Sequence, residues 1–255
     1  MAAECAICSG TGYALREDTG GVLTSVRCAC EIGRRGKRLV QASRIPERYA
    51  HCSFDSEGEH SRGFEIHDPS HETALGICRR WAEAFPGEPE DPGLMLVGPP
   101  GLGKTHLVVS VARYLMEHKG VRVLFYEQRA LLKALQGTFE TGSGRQESDV
   151  FRPVLDCELL VLDDLGAGRT TEWAKDVLHD VISHRYNAQK PILITTNVTL
   201  AAPDEKRAGR SVDAPLTLAD RLGVALISRL HEMCRIVTLG GKDYRTGVLA
   251  QQRFS

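Results

Sequence analysis

Three groups of residues in this 255-residue chain have the types and spacing to do chemistry. Gly98-Pro99-Pro100-Gly101-Leu102-Gly103-Lys104-Thr105 is a complete G-x-x-x-x-G-K-[ST]. Its glycines let successive backbone N–H groups turn inward around a phosphate chain, where side chains would collide. Lys104 brings a positive charge to the β- and γ-phosphates, the Thr105 hydroxyl suits Mg2+, and the following helix adds the positive end of its dipole. The alternative is a glycine-rich turn that arose by chance. An apolar run before the motif and a helical pattern after it favour binding of a nucleoside triphosphate.

The second group is Asp163-Asp164, which closes the apolar run Leu159–Leu162, together with Asn197 at the end of ILITTN. Placed beside the phosphate-loop strand, Asp163 would hold Mg2+ through its water shell, and Asp164 would orient and polarise the attacking water. Asn197 would hydrogen-bond that water or the γ-phosphate. Without the phosphate loop the two acids would read as a turn or helix cap, and Asn197 as a turn former.

The third group is Cys5-x-x-Cys8 and Cys28-x-Cys30, with 19 residues between the pairs. A C-x-x-C turn aims two thiolates at one tetrahedral ion, and nearby glycines permit the tight knuckle. The four cysteines are therefore candidate ligands of one Zn2+, whose binding would supply folding energy that this poorly apolar segment lacks. C-x-C is the less usual second half, His51 or Cys52 is a substitute ligand, and a reduced tail with incidental cysteines is the alternative. Cys78, Cys157 and Cys234 lie in apolar surroundings and read as small buried hydrophobes.

The elements that must position these groups follow from periodicity. Strands are expected at 94–97, 121–127, 158–164, 191–197 and 234–239, joined by helices after the phosphate loop to about His118, to about Leu135, from Thr171 to Ala188, and across Leu218–Met233. Five apolar strands with helical crossovers predict an α/β fold, a parallel doubly wound sheet covered on both faces. Gly137–Asp149 reads as a polar loop, as does the stretch holding Pro203 and Pro215. Before the sheet, a basic helix is expected over Gly33–Ser43 and an acidic, proline-punctuated region over 51–92, with a helix at His71–Phe85. The boundaries are a cysteine module at 1–33, a basic helix and linker at 34–50, and the nucleotide-binding domain at 51–255.

Composition narrows the class. With 42% hydrophobic and 25% charged residues, the chain is neither disordered nor collagenous. No run approaches the length of a membrane span, and the start MAAECAICSG lacks the pattern of a secretory leader, so a cytoplasmic protein with no membrane partner is expected. The net charge of −1 hides seven basic against two acidic residues over Arg27–Arg48, and three against ten over His51–Pro92. A basic block beside a cysteine cluster favours a nucleic-acid or acidic-partner surface.

GPPGLGKT, LLVLDDLG, ITTN and ISRLHEMCRIV, in this order, resemble the AAA+ ATPases of the DnaC/IstB group, over roughly residues 45–240. IPERYAHCSF resembles the lead-in strand of that group. The resemblance implies an ATP·Mg2+ site, a strand order unlike the chain order, and a homo-oligomer in which each site is completed by a neighbour. It places Arg229 as the arginine finger, with Arg221 and Arg235 nearby; base specificity is not placed by the sequence, for which Ile45–Tyr49 are only suggestive. Two departures stand out: Asp164 replaces the Glu of the general AAA+ pattern, which implies slow hydrolysis, and no helical lid is expected. The cysteine module favours a helicase loader that binds the replicative DNA helicase and single-stranded DNA through Arg34, Arg35, Lys37 and Arg38. The competing readings are a transposition helper, a nucleotide-gated adaptor with little hydrolysis, and a small-molecule kinase, which the acid pair, Asn197 and cysteines fit poorly.

Overall fold

Alternation along each strand decides the layering of this protein, seen in a computed structural model that describes residues 5–17, 21, 23–55, 63–86, 93–138, 147–168, 170–200 and 216–244. The described residues form two sheets. A hairpin of β1 (Tyr13–Glu17) and β2 (Leu23–Arg27) follows the first cysteine pair. The main sheet contains β3 (Leu94–Val97), β4 (Val123–Glu127), β5 (Leu159–Asp163), β6 (Ile192–Thr196) and β7 (Arg235–Thr238), all parallel, in the order β4-β5-β6-β3-β7.

Successive strand residues point to opposite faces, so each apolar run feeds two cores. Met95, Val97, Leu160, Leu162, Ile192 and Ile194 pack on one face, and Leu94, Leu96, Leu159, Val161 and Leu193 on the other. Helices α1 (Ala29–Ala42), α2 (Pro69–Ala84) and α3 (Lys104–Tyr114) contribute to the second core. The first is covered by α4 (Gln128–Gln136), α5 (Glu147–Asp156), α6 (Glu172–Asn187), α7 (Leu218–Leu222) and α8 (Val224–Met233).

The chain's own signals set the helix ends. Asp68 caps α2 by accepting from the Ser70 amide, with Pro69 at the first helical position; Thr171 caps α6; Thr217 and Asp220 form a capping box on α7. The single helix expected over Leu218–Met233 is two, because Gly223 sits between them at φ +92°. The polar stretch expected to run to Asp149 gives way at Glu147 to α5, whose Val150 and Val154, four residues apart, are buried. The rest of that stretch (139–146, with Arg145), the Pro203 and Pro215 loop (201–215) and the region where a lid was expected to be absent (245–255) lie outside the described residues. The lead-in segment is not a strand: Glu47–Tyr49 forms a 3-10 turn.

One expectation about position is corrected. The strand ending in Asp163 does not lie beside the phosphate-loop strand; β6 stands between them. The acids therefore approach the phosphate loop across the tip of a third strand.

α1 runs across residue 33, so the helix that starts at the second cysteine pair is the one carrying the basic residues. It seats on the π turn that continues α3 (Leu115–Lys119) through the buried Gly36. A Cβ there would lie 2.8 Å from Glu117 Cα and 3.2 Å from the Met116 carbonyl oxygen. Arg35 adds a hydrogen bond from its guanidinium to the Gly120 carbonyl, 3.2 Å. Gly36→Val is accordingly expected to lower stability by about 1–3 kcal/mol through overpacking against backbone, measured as a shifted urea midpoint with an unchanged slope.

Candidate nucleotide site

The phosphate loop connects β3 to α3. Gly103, at φ +77°, is the residue from which α3 starts, a conformation costly for any side chain, and a Cβ there would strike the Phe64 ring. Lys104 is almost fully buried, and its ammonium donates to the carbonyls of Gly98 (2.8 Å) and Pro99 (2.6 Å). A cleft of about 490 Å³ opens here, lined by Pro100–Thr105, Asp163, Asp164, Thr195 and Asn197.

At its floor Asp163 is 5% exposed at the end of β5. One of its oxygens accepts from Thr105 Oγ1 at 2.8 Å and from Thr195 Oγ1 at 2.6 Å. The Thr195 hydroxyl also accepts from the Asp164 amide, 2.9 Å. Asp164 sits at φ +58°, unusual for a side-chain-bearing residue, and its Oδ1 accepts from Asn197 Nδ2 at 2.7 Å. The Asp163 carboxyl is pushed above the usual carboxylate range by burial first, then by the neighbouring charges of Asp164 and Glu127, against the two hydroxyls that lower it. Three adjoining strand tips, β5, β6 and β3, thus converge on one pocket.

Arg229 lies apart from the cleft. On α8 its guanidinium donates to His179 Nε2 of α6 at 2.8 Å, so that nitrogen carries a lone pair. Arg221 donates to the Gly166 (2.7 Å) and Gly168 (3.3 Å) carbonyls, just past the acid pair, and Arg235 is exposed on the edge strand β7.

Several lining residues escaped the sequence reading. Thr195 is one, although two threonines before a terminal Asn could have flagged it. Glu127 ends β4 beside Asp163, and behind the lining the buried Gln128 accepts from the Gly166 amide at 2.6 Å. Toward the mouth, Arg48, Tyr49, Phe64, His67 and Tyr244 line the cleft, His67 stacking on Tyr244 at 5.1 Å. The Tyr244 amide donates to the Gly101 carbonyl, folding the chain after β7 over the loop. Arg48 and Tyr49 fall within the Ile45–Tyr49 stretch considered for base recognition.

Cys5, Cys8, Cys28 and Cys30 gather at one point, with all four sulfurs within 4.8 Å of one another. Cys5–Cys28 and Cys8–Cys30 are 3.7 and 3.4 Å apart. A tetrahedral Zn–S bond of ~2.3 Å requires sulfurs ~3.8 Å apart, so the set fits the ion. Amides of Cys8 and Ile7 hold the Cys5 thiol down to about 6, while the Cys8 thiol drives Cys30 up to about 12. His51 and Cys52 do not substitute in this set; they group with His106 instead.

The model of the family described as IstB-like ATP binding protein matches residues 89–251. The chain belongs to that family. This IstB-like chain is 31% identical to a protein whose crystal structure is that of the DnaC helicase loader, covering 76% of this chain and 100% of that one at a TM-score of 0.61. It is 28% identical over 216 residues to YqaM of Bacillus subtilis, 83% of this chain and 61% of that protein. It is also 25% identical over 162 residues to the replicative helicase loader DnaC of Buchnera aphidicola, 64% and 62% of the two chains. The chain spans about three fifths of the length of these two relatives. Among the described residues no helix is long and apolar enough to cross a membrane.

Thr195→Val in the IstB-like site leaves Asp163 short of one donor and the Asp164 amide without its acceptor, an expected loss of about 1–3 kcal/mol. Asp163 already titrates above its unfolded value, so its ionised form costs stability at neutral pH, and that cost is relieved as pH falls through the folded pKa. The variant raises that pKa further. Its deficit in urea melts is therefore expected to be larger at pH 7 than in the acidic range.

Proposed function

We propose that this IstB-like chain is an AAA+ ATPase acting as a helicase loader in DNA replication. The hydrogen-bonded set Thr105–Asp163–Thr195–Asp164–Asn197 at the mouth of the phosphate loop carries the proposal, supported by the 31% identity to a DnaC loader. The loop amides and Lys104 bind the phosphates, and Thr105 and Asp163 are placed to hold Mg2+, which when bound neutralises charge on the β- and γ-phosphates. Asp164 orients a water whose oxygen bonds to the γ-phosphorus as the bond to the ADP oxygen breaks. Asn197 fixes the Asp164 carboxylate for that task, and the shorter acid makes turnover slow.

Arg229 lies outside its own cleft, as suits a residue serving a neighbouring subunit in an ATP-bound homo-oligomer. The cysteine module holds Zn2+. Its hairpin carries Tyr13, Leu15 and Leu23 exposed on one side, a surface suited to the replicative helicase. Arg34, Lys37 and Arg38 are exposed on α1 and suit single-stranded DNA, although Arg38 (3.0 Å) and Arg34 (4.0 Å) pair with Glu31, which a phosphate would have to displace, and Arg35 is engaged with Gly120. A transposition helper is the second reading, favoured by the IstB-like family model.

Capture of the replicative helicase by the wild-type chain with ATP, lost in Lys104→Ala, is the expected result; capture of a transposase in its place would select the second reading, and no capture in any nucleotide state would overturn both. Lys104→Ala should also slow phosphate release by roughly 100-fold or more. Mixing Lys104→Ala with Arg229→Ala subunits should restore part of the hydrolysis that each lacks alone, because only a shared site gains from the mixture. Replacing Cys5 and Cys8 by Ser should remove one equivalent of zinc.

A further inference from the structure

We propose that His51, Cys52 and His106 form a second transition-metal site, for Zn2+, on the wall of the nucleotide cleft. One donor atom from each lies within 4.8 Å of the other two. Cys52 Sγ is 4.0 Å from His51 Nε2, and the two imidazoles meet edge to face with centroids 6.3 Å apart. Tetrahedral Zn2+ with bonds of ~2.0–2.3 Å spaces such donors ~3.3–3.6 Å apart, so the observed pair closes on an ion by about half an ångström.

The surroundings are those of a held site. Cys52 is 1% exposed, which shields its sulfur from bulk water. Arg113 donates to the carbonyls of Ala50 and Cys52, fixing the backbone on both sides of the ligand pair. His106 Nε2 lies 3.0 Å from the Ser53 carbonyl oxygen, which can only accept. That contact assigns the Nε2 proton to the carbonyl, the usual outer partner of a metal-bound imidazole, and the ion would take the other ring nitrogen. One thiolate with two imidazoles suits Zn2+ and not Mg2+.

His51 and His106 line the cleft and His106 directly follows Thr105. An ion there clamps the segment before Ser53 to the first turn of α3. Three protein donors leave a fourth position for an exchangeable ligand from the cleft, water or a donor atom of the nucleotide. This set shares no residue with the four-cysteine cluster and does not depend on the helicase-loader reading.

The test is metal content of the full-length chain, purified reduced, equilibrated by dialysis against micromolar Zn2+ and analysed by atomic emission. His51→Ala and Cys52→Ala should each hold one equivalent fewer than wild type. With Co2+ in place of Zn2+, each variant should lose one component of the visible d–d spectrum, with the component from the four-cysteine site kept. Equal zinc content and unchanged cobalt spectra in wild type and His51→Ala would overturn the site. Should Cys52→Ala fail to fold, His51→Ala, whose side chain is half-buried at the cleft surface, decides alone.

Discussion

A carboxylate buried at a strand end is the constraint on which the site depends. Asp163 cannot keep its charge away from water unless neighbouring groups supply hydrogen bonds. Two hydroxyls do so at a single oxygen, Thr105 from the helix after the phosphate loop and Thr195 from β6. Because the Thr195 oxygen also accepts the Asp164 amide, the peptide between the two acids is fixed. The left-handed backbone at Asp164 then brings its carboxylate to Asn197. Nucleotide loop, acid pair and polar strand tip are thus one bonded unit, and the sheet order places the shared threonine on the middle strand.

That unit was half legible from the residues. The phosphate loop, the two acids and Asn197 announce themselves because each is a polar interruption of an apolar run, a local pattern. The intervening β6 did not, because strand pairing is a long-range choice that apolar runs of equal quality leave open. Thr195 was hidden for the same reason: only the sheet order reveals that its hydroxyl faces an acid 32 residues away. Phe64, His67 and Tyr244 reach the cleft across still longer separations, the Tyr244 hydroxyl bonding Glu65 at a distance of 179 residues in sequence. The break at Gly223 had a visible cause, yet a lone glycine in a helical pattern is often tolerated and does not by itself mark a helix end.

The cysteine module shows the converse. Spacing alone favoured a shared ion, and the folded sulfurs fall close to the separations a tetrahedron demands. Four thiols so close cannot all ionise unaided; backbone amides hold Cys5 low while Cys8, above all, drives Cys30 high, and a divalent cation would remove the conflict. What the spacing did not disclose is that the second pair sits at the start of α1, with Cys28 as its N-terminal flank.

α1 is therefore a stiff link between the cysteine cluster and the sheet. Its 14 residues span ~21 Å without a break. One end carries the sulfur knuckle, the middle is pinned at Gly36, and just past the other end the Ser43 carbonyl accepts from the Phe125 amide on β4, 2.7 Å away. The cysteine knuckle is thereby tied by one unbroken helix to the sheet margin, one strand from the acids, so a displacement of the knuckle would be passed to that margin rather than absorbed by a loose linker.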